Sequence, residues 1–207
     1  MPFDQKSIGA VLQRIRMHKH PLVTIDGPCA SGKTTLAAQL AGELSAAVAH
    51  TDDYVIPHAR KTAERLAVPG GNCDSDRLFR EVVEPWKSGL PVHMRRYDCK
   101  ADCFLPEETL PESDVLILEG SYCNLPPIRE QADVRIFVNI SREEQKARLQ
   151  ARENPESLKR FMTGGSPWRK HILRHTVSRM RTASSLTAKR RFSSEPALLL
   201  TQQPALV

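Results

Sequence analysis

Residues 27–34 read Gly27-Pro28-Cys29-Ala30-Ser31-Gly32-Lys33-Thr34, which matches the phosphate-binding pattern G-x-x-x-x-G-K-[ST]. The apolar, β-branched run Leu22-Val23-Thr24-Ile25-Asp26 precedes this phosphate loop and predicts a buried strand. Good helix formers follow the loop, from Thr35 to Leu40. This order of strand, loop and helix suits a polyphosphate, because backbone N–H groups and a helix N-terminus attract anions.

We therefore expect a bound nucleotide whose phosphates contact Gly27, Ala30, Ser31, Gly32, Lys33, Thr34 and Thr35. Lys33 is expected to reach the β- and γ-phosphates, and the Thr34 hydroxyl is expected to bind Mg2+. The alternative is a glycine-rich turn that fits the spacing by chance, and the matching flanks on both sides argue against it. Cys29 is expected to be a tolerated small residue of the loop.

Three further apolar runs predict strands: Ala47–His50, Val115–Gly120 and Val134–Ile140. The second of these is apolar on both faces, which is typical of a parallel sheet. Strands that alternate with helices predict an α/β fold, a doubly wound parallel sheet flanked by helices. Ligands of such sheets bind beyond the carboxyl ends of the strands, where Asp52 and Glu119 are expected to lie.

Helical spacing predicts an amphipathic first helix over about 4–17. It also predicts a helix, later than the one after the phosphate loop, that begins at Asp74 or Ser75 and ends near Gly89. Ser141 followed by Glu144 predicts a helix that begins with a capping box. Residues 55–72 contain two prolines and two glycines and predict a mobile surface loop. The stretch from Val92 to Leu110 predicts a hairpin-like insertion.

A phosphate loop alone does not distinguish GTPases, motor ATPases and small-molecule kinases. A GTPase would need an N-K-x-D element, which the sequence lacks, so a kinase is favoured. Asp52 and Asp53 supply carboxylates for an acceptor hydroxyl. Glu119, and Asp52 beside it, could hold Mg2+, and Arg148 and Arg152 could close over the phosphates.

Each of these residues has a structural alternative. Asp52 and Asp53 could cap a helix or turn, and Glu119 could be an ordinary strand end. Arg148 and Arg152, one helical turn apart, could form a solvated helix face.

Six motifs follow one another along the chain: Gly27 to Thr35, Thr51-Asp52-Asp53-Tyr54, Gly70-Gly71-Asn72-Cys73-Asp74 with Arg77-Leu78, Tyr97-Asp98, Leu118-Glu119-Gly120-Ser121-Tyr122, and Arg148-Leu149 with Arg152. In this order they resemble the uridine kinase and phosphoribulokinase family of P-loop kinases, especially its short bacterial uridine kinase-like members. The resemblance covers residues 21–161.

The resemblance implies that ATP is the donor, that Mg2+ is the cofactor and that Asp52 is the general base for the acceptor hydroxyl. It also implies that Asp74, Tyr97 and Asp98 line the acceptor site, with Tyr54 and either Arg95 or Arg96 as weaker candidates. The fuller uridine kinases carry a longer region with a histidine-proline-aspartate element near the position of Asp74. Its absence here puts uridine itself in doubt.

The chain has 207 residues, a formal net charge of +6 and five cysteines without a paired metal-binding framework. One domain is expected over residues 1–163, with its N-terminal helix, and an atypical basic segment over 164–207. No apolar run predicts a membrane span and no signal peptide is evident, so we expect a cytoplasmic protein without a membrane partner. A homo-oligomer remains open.

Between Ser157 and Ser194 the sequence has no Asp or Glu and ten Lys or Arg. Relatives usually continue with an acidic, aromatic Glu-x-x-Tyr-Phe helix and a last strand with an aspartate, and we expect neither here. A reading-frame change near Gly164 would explain both features, because residues 169–175 can be re-read one nucleotide on as Glu-Asn-Thr-Tyr-Phe-Asp-Thr. In that case the last strand could be missing, and the segment altered or poorly ordered.

The rival interpretation is a basic tail for nucleic acid or an acidic membrane surface, ranked second because the segment contains no recognisable binding module. We expect a small-molecule acceptor, with a nucleoside as the first choice. The alternatives are a kinase for pantothenate or a sugar, and a regulatory or degenerate nucleotide-binding protein with little catalysis.

Overall fold

The strand that leads into the phosphate loop is β1, Leu22–Asp26, and all five of its residues are buried, as predicted. The computed structural model describes residues 3–154, 156 and 197–201. Eight further strands lie in these ranges: β2 Ala47–His50, β3 His93–Met94, β4 Tyr97–Asp98, β5 Cys103–Phe104, β6 Glu108–Thr109, β7 Leu116–Glu119, β8 Val134–Asn139 and β9 Leu198–Thr201. Five of the strands form a parallel sheet in the order β2, β7, β1, β8, β9.

The described helices are α1 Gln5–Arg16, α2 Lys33–Leu44, α3 Ala63–Leu66, α4 Ser75–Leu78, α5 Glu84–Lys87, α6 Ile128–Gln131 and α7 Arg142–Arg152. A π-helical turn, Phe79–Val83, joins α4 to α5, so residues 75–87 form one helical segment. The predicted cap at Ser141 is confirmed, because its side chain accepts a hydrogen bond from the backbone N–H of Glu144. Asp4 caps α1 in the same way, with a hydrogen bond from the backbone N–H of Ser7. The helix at Ser75 has no side-chain cap from Asp74.

Apolar side chains cover both faces of the sheet. On one face α1 and α2 pack against alternate residues of β1 and β8, such as Val23 and Ile136. On the other face the helical segment 75–87 packs against Leu22 and Leu118. Layers on both faces confirm the doubly wound α/β fold.

The predicted insertion between Val92 and Leu110 is confirmed as two nested antiparallel ribbons, with β3 paired to β6 and β4 paired to β5. The predicted loop over residues 55–72 contains more structure than expected. It holds a 3-10 turn, His58–Arg60, and the short helix α3. The Thr62 side chain accepts a hydrogen bond from Arg65 N and so caps α3.

One expectation about the C-terminal region is wrong. The last strand is present, because Leu198–Thr201 pairs with β8 from Ile136 to Asn139. Leu200 is buried in the sheet core and Leu198 packs against it, so alternate leucines fill the space beside β8. The other expectations for residues 164–207, including the basic tail and the changed frame, lie outside the described residues.

Within the ranges that the structure describes, no helix combines the length and the apolarity that a membrane crossing needs.

Candidate active site

The phosphate loop has the backbone conformation that the sequence predicts. Gly32 has φ +94°, Ala30 has φ +61°, and α2 begins directly afterwards at Lys33. Gly27 is packed so closely that a Cβ atom would overlap the carbonyl oxygen of Val138. Left-handed residues beside a helix N-terminus turn successive N–H groups toward one concave surface, which is the geometry of an anion site.

Side chains of the loop also fit a polyphosphate. Lys33 Nζ lies across the loop and donates a hydrogen bond to Pro28 O at 3.1 Å. Ser31 Oγ is buried and has no hydrogen-bond partner among the described residues. A buried hydroxyl without a partner is costly, so the loop has unused donor capacity where phosphate oxygens would lie.

Glu119 and Thr34 meet at the end of β7. Thr34 Oγ1 donates to Glu119 Oε1 at 3.0 Å, and His50 Nδ1 donates to the same oxygen at 2.8 Å. Burial by itself would raise the pKa of Glu119, but hydrogen bonds from His50 and Thr34 outweigh burial and leave this pKa below its ordinary value. The carboxylate partner also raises the pKa of His50. Glu119 is therefore a buried carboxylate that stays ionised near neutral pH.

The residues present fit Mg2+, which prefers oxygen ligands and is usually held by one or two protein groups together with substrate phosphates. Thr34 and Glu119 supply a hydroxyl and a carboxylate beside the phosphate loop. Among the described residues, no cluster of three or more His, Cys, Asp and Glu side chains forms a complete metal cage. These two oxygen groups are compatible with a metal ion that substrate phosphates also hold.

Asp52 and Asp53 lie in the 3-10 turn Thr51–Tyr54, directly after β2. Asp52 is exposed, and its carboxylate makes no hydrogen bond or ion pair with the described residues. Asp53 is half-buried, and burial raises its pKa, although His50 and Arg96 act in the opposite direction. Because β2 and β7 are neighbours, this turn stands beside Glu119 at the same edge of the sheet.

Both predicted arginines of α7 reach the phosphate loop. Arg148 Nη1 donates to Ala30 O at 3.2 Å, and Arg152 Nη2 lies 3.4 Å from Cys29 Sγ. Gln145, on the same helix, donates to Cys29 O at 2.7 Å. Arg148 is half-buried against the loop, whereas Arg152 is 56% exposed and also forms an ion pair with Glu153 at 2.7 Å, so Arg152 still fits the alternative of a solvated helix face.

Asp74 is buried at the start of the helical segment 75–87. Its carboxylate accepts a hydrogen bond from Arg60 Nη1 at 2.8 Å and does not cap the helix. Tyr54 is fully buried under the Arg77 guanidinium, which lies 4.2 Å from the ring centroid. The structure therefore places Tyr54 behind the surface of the candidate acceptor site.

Of the remaining predicted residues, Tyr97 and Asp98 form β4 of the inner ribbon, and Arg96 lies in the connection between β3 and β4. Tyr97 is buried and its hydroxyl donates to Asp102 Oδ1. Asp98 Oδ1 accepts from the backbone N–H groups of Lys100 and Ala101, so this carboxylate closes its own turn. Arg96 is exposed and forms an ion pair with Glu108 at 2.7 Å.

Four residues of the site were not predicted from the sequence: Asp26, His50, Arg77 and Gln145. Asp26 is buried beneath the phosphate loop and accepts three backbone hydrogen bonds. Arg77 donates to Glu81 within its own helical segment and to the backbone oxygens of Asp53 and Arg95 in two other segments. Polar residues inside apolar runs or helices are the one sequence signal that could have indicated them, because a buried polar group needs partners.

No protein-family model matches the chain, and no curated protein is significantly similar to it. Solved structures do match. One is described as a possible uridine kinase from Bacillus stearothermophilus, 21% identical, with a TM-score of 0.55 over 75% of this chain and 95% of that one. Another is assigned as a fructose transport system kinase from Silicibacter sp. TM1040, 23% identical, with a TM-score of 0.60 over 76% of this chain and 88% of that one. The chain therefore has the α/β fold of the uridine kinase-like P-loop kinases.

Proposed function

We propose that the chain is an ATP- and Mg2+-dependent kinase that transfers the γ-phosphoryl group to a hydroxyl of a small molecule. The observation that carries this proposal is the position of Asp52. An exposed carboxylate without a hydrogen-bond or ion-pair partner among the described residues stands at the end of β2, and the neighbouring strand β7 ends at the Thr34–Glu119 pair. Neighbouring strands are about 4.8 Å apart, so an acceptor hydroxyl at Asp52 would lie next to the phosphates.

In this proposal the phosphate loop, Lys33 and the N-terminus of α2 hold the phosphates of ATP. Arg148 and Arg152 approach from α7 and offset negative charge on the transferred group. Thr34 and Glu119 hold Mg2+, with Asp52 as a further oxygen ligand at the same edge. Bound Mg2+ would supply charge neutralisation at the β- and γ-phosphate oxygens.

Asp52 is the general base of the proposed reaction. It accepts a hydrogen bond from the acceptor hydroxyl, orients the oxygen toward the γ-phosphorus and takes the proton as the new P–O bond forms. Since the carboxylate has no partner among the described residues, no existing hydrogen bond has to break before the hydroxyl binds.

The acceptor site is proposed to lie between this turn and the hairpin. Asp53, Asp74, Arg96, Tyr97 and Asp98 are its candidate residues, with Tyr54 supporting them from behind. A nucleoside is the first acceptor to test, since one structural neighbour is described as a possible uridine kinase. A sugar is the second, since the other is assigned to fructose transport. The proposal includes a cytoplasmic location and a small-molecule acceptor in place of nucleic acid.

The test is coupled ADP release with ATP and Mg2+ across a panel of nucleosides, hexoses and pantothenate. We expect one class of acceptor to stimulate ADP release well above the rate with ATP alone, and the class that does so identifies the acceptor. If no member of the panel stimulates turnover while ATP still binds, the alternative of a nucleotide-binding regulatory protein replaces the kinase.

A further inference from the structure

Asp26 is the last residue of β1 and is 4% exposed. Its carboxylate faces three backbone N–H groups. Oδ1 accepts from Gly27 at 2.6 Å and from Tyr122 at 3.0 Å, and Oδ2 accepts from Asn124 at 3.0 Å. Three donors and no acceptor surround the group, so the arrangement fits a carboxylate and does not fit an amide.

A buried carboxylate is costly, and this one has no ion pair among the described residues. Burial raises the pKa of Asp26, and the backbone N–H groups of Asn124, Gly27 and Tyr122 together with the charge of Lys33 act against that rise. An apolar residue would fill the same space at lower cost. We therefore look for the role of this carboxylate in the backbone segments that its hydrogen bonds connect.

Those groups belong to the two halves of the nucleotide site. Gly27 is the first residue of the phosphate loop, and Tyr122 and Asn124 follow Glu119 at the end of β7, the strand that pairs with β1. Ser121 Oγ donates to Gly27 O at 3.2 Å, which makes a second link between the same two segments. Tyr122 has φ +73°, a conformation that a non-glycine residue adopts at a cost and that surrounding contacts must maintain.

Asn124 anchors the segment from below. It is buried, its Oδ1 accepts from Thr24 Oγ1 at 2.6 Å, and its Nδ2 donates to Ile136 O at 3.5 Å. Residues 121–124 are thus fixed to β1 and β8 at one end and to the phosphate loop through Asp26. A displacement of the loop is transmitted to the strand end that carries Glu119, and the reverse also holds.

We propose that Asp26 is a positioning residue that couples the phosphate loop to the Glu119 segment, so that nucleotide and Mg2+ strengthen each other's binding. The inference rests on the proposed function only in that a Mg2+–nucleotide complex binds; it does not depend on the acceptor. Asp26 touches neither ligand. It fixes the distance between the residues that hold the phosphates and the residue that holds the metal.

The test is a titration with a fluorescent ADP analogue, with Mg2+ and with EDTA, which gives the factor by which Mg2+ strengthens nucleotide binding. Asp26→Asn keeps the size of the side chain but turns an NH2 group toward a backbone N–H. We expect the Mg2+ factor to fall about tenfold, within the usual range of coupling between two sites. The matched control is Asp133→Asn. Asp133 also accepts a backbone hydrogen bond, from Leu22 N at 2.7 Å, but at the opposite end of β1. The Mg2+ factor of this control variant should equal that of the wild type.

An unchanged Mg2+ factor in Asp26→Asn would overturn the inference. Equal losses of affinity with Mg2+ and with EDTA give this result, because they leave the coupling between the two ligands at its wild-type value. If Asp26→Asn does not fold, Ser121→Ala decides, because it removes the second link, and a wild-type Mg2+ factor there counts against the inference. Absence of nucleotide binding by the wild-type chain is a different result, which contradicts the proposed function itself.

Discussion

Gly27 and Gly120 stand at the ends of two neighbouring strands and hold the site's backbone in place. A Cβ atom at Gly120 would overlap Thr51 Oγ1, and one at Gly27 would overlap the carbonyl oxygen of Val138. Both glycines also have positive φ, which disfavours any L side chain. The close approach of β2, β7 and β8 around the phosphate loop therefore depends on residues without a side chain.

Replacing Gly27 by Ala should weaken nucleotide binding at least tenfold and lower stability, because the loop must move away from Val138. Gly42→Ala in α2 is the control, since nothing lies within 4 Å of its Cβ position. A helix-interior glycine costs about 0.5–1 kcal/mol relative to alanine, so the control should be more stable by that amount. Titration with nucleotide and chemical denaturation measure both effects, and similar behaviour of the two variants would contradict the packing.

The pKa of the Cys73 thiol depends on its burial and on the carboxylates around the candidate acceptor site. Burial raises the pKa of Cys73 to about 11, and Asp74 and Asp52 add to this rise. Because the thiolate is the reactive form, its fraction increases as the pH approaches that value. We expect iodoacetamide to modify exposed Cys103 first and Cys73 only at strongly alkaline pH, as followed by mass spectrometry. Early modification of Cys73 near neutral pH would argue against the buried arrangement.

The helical segment 75–87 connects the turn that carries Asp52 to the hairpin. From it, Arg77 donates to Glu81 Oε2 at 3.2 Å, to Asp53 O at 3.2 Å and to Arg95 O. Its guanidinium also lies 5.0 Å from the centroid of Phe104. One planar, five-donor group thus holds three elements in a fixed relation.

Arg77→Lys should loosen this arrangement, because an ammonium group cannot reproduce the planar fork. Loss of hydrogen bonds from a charged group costs about 1.5–3 kcal/mol each, so the KM for the acceptor should rise at least tenfold. The KM for ATP should stay within a factor of three, since the phosphate loop is not touched. Arg80→Lys, at an exposed position of the same segment, is the control. Equal effects on both substrates would show that Arg77 supports the fold as a whole.

Elements that bury both faces were the most predictable from the sequence. The sequences of β1, β7 and β8 are nearly continuous apolar runs, because helices cover these strands on both faces. The structure begins and ends each of these strands within one or two residues of the predicted bounds. The π-helical turn at Phe79–Val83 was not predicted, since the apolar spacing there also fits an ordinary helix. The strand at Leu198–Thr201 was not predicted, because an apolar run of only four residues fits a strand and a helical turn equally well.

The candidate site was predictable where one local pattern carries the chemistry, as in the phosphate loop and the strand ends at Asp52 and Glu119. It was not predictable where the function of a side chain depends on distant partners. Asp26 bonds to backbone groups 96 and 98 residues away, and no local pattern encodes such a contact. The roles of the predicted acceptor residues stay predictions.

At the scale of the whole molecule, the last strand ties the C-terminal region to the domain. Leu200 is 8% exposed and belongs to the sheet core, while Leu199 on the opposite side of the strand is 44% exposed. Residues after the basic segment therefore contribute to the fold that the chain shares with the P-loop kinases.

Leu200→Ala should lower the free energy of unfolding by about 2 kcal/mol, the low end for buried leucines because β9 is an edge strand. Leu199→Ala should change it by less than about 0.5 kcal/mol, as is usual at exposed positions. Urea denaturation of the two variants measures the difference. Equal effects would mean that β9 does not pack against β8 in solution.

The basic segment before β9 remains a prediction with two interpretations. Sequencing the gene decides the first, because a changed reading frame near Gly164 requires the family-like continuation in the other frame. A salt-dependent shift of DNA or RNA that disappears on truncation after Arg152 would support the second.

The most direct test of the central claim follows the label from [γ-32P]ATP to the acceptor in a single turnover, for the wild-type chain and for Asp52→Asn. We predict that the wild type transfers the label to a hydroxyl of the acceptor, and that Asp52→Asn does so at least 100-fold more slowly, because a general base contributes about 10²–10⁴ in rate. Nucleotide affinity should persist in this variant, and Asp76→Asn, at an exposed position nearby, should behave as the wild type. Transfer at an equal rate in Asp52→Asn, or label that appears only in inorganic phosphate, would contradict the account.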